Sequence, residues 1–191
     1  MHACAHERRV SINGRHDRVN AELVNIAIQC GVTASTQARE SKPNEERLAP
    51  DSYIISNTGL QIDIDVTFAL ETQLSVVSHL DVTGKVLKKL DQQAKRKTSK
   101  YEEYCRVRDH SFVPFVIGVR GGLHSQASQL LSELAAAAVQ NGVCEVSQKS
   151  TYLTGMVQRL EAAVASGNAN VARRWSAMGA GYGLPRGLGG V

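Results

Sequence analysis

Aromatic residues are scarce in this chain: three Phe, five Tyr and one Trp make up 5% of 191 residues. Hydrophobic residues as a whole still reach 42%, so a core can form from aliphatic side chains rather than rings. No apolar run approaches the roughly 20 residues of a membrane span, and Met1-His2-Ala3-Cys4-Ala5-His6 has no signal-peptide core. Neither secretion nor membrane insertion is expected. Cysteine is equally sparse. Cys4, Cys30, Cys105 and Cys144 lie far apart with no C-x-x-C pair, so neither a disulfide framework nor a zinc ribbon is written here, and a reducing compartment fits. His2, Cys4 and His6 are too few and too closely spaced for a tetrahedral zinc site, which draws four ligands from two separated pairs.

The net charge is only +4, yet Lys85, Lys88, Lys89, Lys95, Arg96, Lys97 and Lys100 form a block that contains a single acid, Asp91. Such a block suits a polyanionic partner; a solvated helix face is the ordinary alternative. Lys88, Lys89, Lys95, Arg96 and Lys100 are the candidate nucleic-acid contacts.

Periodicity sets the element order. Val19, Leu23, Ile26, Ala27 and Cys30 recur at helical spacing between Arg15 and Cys30, with Gly31 as a C-cap. Val32 to Ala38 is β-prone, and 40–47 is polar and loop-like. A strand over Ser52–Ser56, a turn at Asn57-Thr58-Gly59 and a second strand over Leu60–Leu70 make a hairpin. In the second strand Ile62, Ile64, Val66 and Phe68 face one way, and Asp63, Asp65 and Thr67 the other. The basic block lies on a long helix from about Gly84 to Val107. Phe112–Val119 reads as a buried strand, Gly121-Gly122 as a turn, and Leu123–Gln140 as a helix. A last helix spans about Lys149–Trp175, interrupted near Gly167-Asn168, and the Gly-rich tail from Gly179 to Val191 is expected to be disordered. The expected architecture is α/β. Residues 1–145 form the main domain, 146–178 a C-terminal helical extension and 179–191 the tail.

The hairpin carries the chemistry. Pro50-Asp51 opens its first strand and Asp65 lies near the end of its second, so the turn can bring the two carboxylates together. Two acids a few ångströms apart repel unless a divalent cation lies between them, and Mg²⁺ held by one or two carboxylates also takes phosphate oxygens and water. A lysine from the following helix would stabilise the charge that develops in phosphodiester cleavage. On the pattern alone, Asp51 could instead begin a turn, Asp65 could lie on a solvated face, and Asp63 could be the ligand.

The order Arg15-His16-Asp17, Pro50-Asp51, Asp65-Val66-Thr67, Lys97-Thr-Ser-Lys100-Tyr101, Phe112-Val-Pro-Phe, Gly121-Gly122 and Gly167-Asn168-Ala169 resembles the restriction-like endonuclease domain of some non-LTR retrotransposon polyproteins. The resemblance covers roughly Met1 to Trp175. It implies a PD-(D/E)xK nuclease-like mixed sheet flanked by helices. It also implies Mg²⁺- or Mn²⁺-dependent nicking of target DNA, and extension of the freed 3′ end by a reverse transcriptase. By matched position Asp51 and Asp65 are the metal ligands. The class places its lysine where Thr67 stands, so a helical lysine must substitute: Lys97 first, Lys100 second, Lys95 third. Glu40 is a further candidate carboxylate. The chain opens near the point where the family's zinc-binding segment would end, so a separately encoded reverse transcriptase is the expected partner. Localisation would be nuclear in a eukaryote and otherwise intracellular. The alternative is an inactive relic that binds nucleic acid electrostatically, which Thr67 favours.

The remaining motifs take structural readings. His16 could act on DNA or as a base, but a histidine in a helix's first turn more often bonds to backbone or a neighbouring loop, so the Arg15-His16-Asp17 triplet is given a structural role, and Gly121-Gly122 is read as a turn needing positive φ. Cys30, Cys105 and Cys144 are read as small core residues. Tyr101, Tyr104, Phe112 and Phe115 are expected to pack the basic helix onto the sheet, and Trp175 is left open.

Overall fold

Apolar spacing and turn chemistry account for the elements of this computed structural model. It describes the backbone of residues 2–37, 49–69 and 82–181, with side chains over 13–37, 49–69 and 87–173. Helix α1 spans His2–Gln29, well before the expected start at Arg15; no proline interrupts the added turns. Strand β1 is Thr33–Thr36, β2 Ser52–Ile55 and β3 Gln61–Ala69. Helix α2, Val82–Arg108, carries the basic block, and β4 is Ser111–Gly118. Helix α3, Ser125–Gln140, is followed by a single 3₁₀ turn at Val146–Gln148 and by α4, Lys149–Gly181. The regions of Glu40, of residues 70–81 and of the tail from 182 lie outside the described residues. So do the side chains of His2, Cys4, His6, Lys85 and Trp175.

The strands form one mixed sheet in the order β1-β2-β3-β4. The β2–β3 hairpin is antiparallel, with Ser52 opposite Ile64, and turns at Gly59, whose φ of +82° explains the glycine. Strand β4 runs parallel to β3, a pairing that requires a crossover and receives α2. Pro114, opposite Asp65, is tolerated because β4 is an outer strand of the sheet.

The two faces differ in chemistry. Ile64, Val66, Phe115 and Ile117 meet Val19, Leu23 and Ile26 of α1, Leu130, Leu131 and Leu134 of α3, and Met156, Leu160 and Val164 of α4 in one aliphatic core. The 146–178 extension therefore packs into the same core as the rest of the chain. On the opposite face, among the described residues, α2 contributes a small cluster, Leu90 and Ala94 against Ala69 and Val116. Phe115 belongs to the first core, not to the seam under α2 as expected, because alternation along β4 turns it away from Phe112. Cys30 and Cys105 are buried thiols and Cys144 is half-buried, all free. Among the described residues no helix is long and apolar enough to cross a membrane.

Helix α4 passes through Gly167-Asn168 without the expected interruption and continues to Gly181, beyond Trp175 and into the tail. Gly167 is a packing residue. A Cβ there would lie 2.6 Å from Arg15 Cγ and 3.1 Å from Arg15 Cα, so the glycine lets α1 and α4 touch. At Gly155, on the same helix, an added Cβ would meet nothing within 4 Å. Gly155→Ala should therefore stabilise the protein by about 0.5–1 kcal/mol through helix propensity. Gly167→Ala should destabilise it by about 1–2 kcal/mol through overpacking. Urea denaturation of the two variants should give opposite signs.

Candidate active site

The stripe of α2 that faces the sheet reads Leu90, Ala94, Lys97, Tyr101, Cys105, all at spacings of three or four residues. Four of these are buried and pack; Lys97 takes a core position and sends its ammonium to β3. There Lys97 Nζ lies 2.6 Å from Asp65 Oδ2, with the acid side chain only 4% exposed. Thr67, the residue in the usual lysine position, donates its hydroxyl to the same oxygen at 3.2 Å.

Asp51 converges on the same stretch of β3. Continuing the hairpin register one step beyond Ser52–Ile64 sets Asp51 across from Asp65. Asp51 N donates to Ile64 O at 2.9 Å, and Val66 N donates to Asp51 Oδ2 at 2.9 Å, so its two bonds to β3 flank Asp65. Helix α1 reaches this point from the aliphatic face and α2 reaches Asp65 from the other. Asn20 Nδ2 donates to Asp51 O at 3.2 Å, and His16 Nε2 lies 2.8 Å from Asp51 Oδ2.

His16 thus bonds the stretch that enters β2, as a structural bond to a neighbouring loop would, but it does so at a candidate ligand that the structural reading did not single out. Its signal was position: it stands one turn before Val19 and Asn20, on the buried stripe of α1. Both ring nitrogens face carboxylates, Nδ1 lying 3.2 Å from Asp17 Oδ1, so both act as donors when the ring is protonated. Burial pushes the imidazolium pKa down, but hydrogen bonds and charge from Asp51 and Asp17 outweigh it and raise the value above 6.5.

Asp63, two residues before Asp65 on the same face, is fully buried and already committed. Gln61 Nε2 and Gln37 Nε2 donate to its Oδ1 at 2.9 and 3.3 Å, while His110 Nδ1 lies 3.0 Å from Oδ2. The Cys105 thiol donates to Oδ2 at 3.7 Å; burial first, then the Asp63 charge, pushes that thiol up to about 11, which keeps it protonated. Asp63 ties the C-terminal end of α2 to the sheet.

The other candidates lie around this centre. Lys100 Nζ donates to Tyr101 OH at 3.3 Å, and Tyr101 OH donates to Ala49 O at 3.4 Å, so Lys100 stands beside the chain entering Asp51 rather than at Asp65. Tyr101 and Phe112 rings pack at 5.0 Å, as expected of the seam. Lys88, Lys95 and Arg96 are exposed and Lys89 half-buried. Asp91, the acid within the basic block, lies 3.1 Å from Nε2 of His124, the N-cap of α3. Gly121 has the positive φ, +98°, and Gly122 does not.

No family model matches the chain, and no curated protein matches it. The site therefore speaks through its geometry. Asp51 and Asp65 are both buried, and no side chain among the described residues bonds Asp65 Oδ1. Among the described residues no group of three or more His, Cys, Asp or Glu side chains is placed to hold a metal. A cation here would draw on the two acids, which suits a hard ion completed by phosphate and water.

Two outcomes follow from these contacts. Lys97→Met strands a buried carboxylate and should cost about 3 kcal/mol in urea denaturation, whereas adding Asp65→Asn should recover much of that loss. The raised pKa of His16 means that its contact stabilises the metal-free protein fully below pH 6.5 and that this contribution fades as pH rises through the folded value. An NMR titration should place His16 above 6.5 and show a downward shift in Asp51→Asn.

Proposed function

We propose that the chain is a metal-dependent DNA endonuclease of the PD-(D/E)xK class, of the kind that non-LTR retroelements use to nick target DNA. The observation that carries this reading is the 2.6 Å approach of Lys97 Nζ to Asp65, across the hairpin from Asp51. The ammonium that Thr67 cannot supply arrives from α2. This supports a retained catalytic set over an inactive relic, for which Thr67 was one ground.

In this reading Asp51 and Asp65 hold Mg²⁺ or Mn²⁺. Such a cation supplies positive charge to the phosphate and lowers the pKa of water. Lys97 keeps a further positive charge beside Asp65, where it offsets the charge developing on the scissile phosphate. His16 and Val66 N orient the Asp51 carboxylate. Lys88, Lys95, Arg96 and Lys100 attract the DNA backbone, with Lys89 beside them. A reverse transcriptase encoded separately would extend the nick.

A supercoiled-plasmid assay with Mg²⁺ and Mn²⁺ tests the reading. The wild type should yield nicked circles, and EDTA should abolish them. Asp51→Asn, Asp65→Asn and Lys97→Met should each lose roughly 100-fold or more in rate, with DNA affinity changed only a few-fold. A folded wild type that binds DNA in a salt-sensitive way but nicks with neither metal is the inactive relic. One that does not bind DNA at all overturns both readings.

A further inference from the structure

Arg15 is a buried cation for which the described residues provide no carboxylate. It is 9% exposed, its Nη1 donates to Asn168 Oδ1 at 2.8 Å, and its guanidinium lies 4.1 Å over the Phe68 ring. Its Nε is enclosed and meets no acceptor. Burial pushes its pKa down, yet a guanidinium remains charged throughout the physiological range. A buried charge answered by one neutral amide and one ring is a poor arrangement for stability alone.

The surroundings are nevertheless built to hold it. Gly167 omits a side chain where Arg15 Cβ and Cγ pass. Asn168 donates Nδ2 to Val119 O at 2.8 Å, which fixes its Oδ1 toward Arg15. The next residue, His16, grips Asp51. The guanidinium thereby lies over Phe68, two residues along β3 from Val66, whose N–H bonds the candidate metal-binding Asp51, and its planar donors match phosphate oxygens.

We propose that Arg15 is an anion-binding residue that receives a backbone phosphate of the DNA strand entering the site. The placement of that strand rests on reading Asp51 and Asp65 as the cleavage centre. In the bound state the phosphate supplies the counter-charge that the protein withholds, and Asn168 and Phe68 keep the guanidinium from turning away.

The test is equilibrium binding of a fluorescent mixed-sequence DNA duplex to the full chain in EDTA, at 50–200 mM KCl, so that cleavage plays no part in the readout. Arg15→Gln should weaken binding about tenfold and reduce the slope of log K against log salt by about 0.9. Arg15→Lys should keep most of that slope. Arg106→Gln, which removes a guanidinium already paired with Glu103 at 2.6 Å, should change the slope less. In the wild type the Arg15 Nε–Hε resonance should shift on addition of the duplex, a measurement that stands even where Arg15→Gln fails to fold. An unchanged slope in folded Arg15→Gln, an equal change in Arg106→Gln, or an Arg15 resonance that does not move overturns the proposal. A protein that binds through Arg15 yet never nicks DNA would sink the nuclease reading and leave this phosphate contact standing.

Discussion

The ion pair between Lys97 and Asp65 is the constraint around which the polar face of the molecule is arranged. At 2.6 Å and an effective dielectric of about 20, attraction between two unit charges is roughly 6 kcal/mol. Removing both groups from water costs several kcal/mol per ion, so the pair comes close to cancelling. An aliphatic pair would fill the same space at less cost. What the pair does achieve is alignment. It ties α2 to β3 in the rotation that core packing sets, and Thr67 and Asp63 bond within the same arrangement of β3 and the far end of α2.

Apolar packing and the buried ion pair of Asp65 are divided between the two sides of the sheet. Helices α1, α3 and α4 bury the aliphatic residues on one side, and that core carries the hydrophobic contribution to folding. Beneath α2 the apolar cluster is small and the carboxylates take its place. A thick core can support a face where buried acids are held by partners instead of being excluded. The seam between α1 and α4 follows the same logic, with Gly167 giving up a side chain to let Arg15 sit against Asn168 and Phe68.

Much of this is legible from local pattern. Strict alternation in Gln61–Ala69 assigns Asp63 and Asp65 to the face opposite Ile64 and Val66, and Asn57-Thr58-Gly59 folds Asp51 back toward Asp65. Lys97, which the resemblance ranks ahead of Lys100 and Lys95, is the lysine at Asp65. The choice between Asp63 and Asp65 is not legible, since both share a face. It depends on Gln37, Cys105 and His110, which arrive from three other places in the chain. His16 reads as a residue bonded to backbone or a neighbouring loop because a polar side chain on an apolar stripe has no distinguishing mark until its partner is known. Gly167 suggests a break in α4 for the opposite reason: low helix propensity is a local cost, and the close approach of Arg15 that explains it is not local.

By itself the sequence determined the order of helices and strands, the mixed α/β class, the hairpin and the side of the sheet on which Asp63 and Asp65 would lie. These follow from periods of 2 and 3.6 residues and from turn glycines, which act over a few neighbouring positions. Only the tertiary structure decided which partners the acids would have: His16 for Asp51, Lys97 for Asp65, and His110 with Cys105 for Asp63. Those pairs join residues 32 to 47 positions apart. Which charges meet there depends on how helices rotate as they pack, and that rotation is set by the whole core rather than by any local stretch of chain.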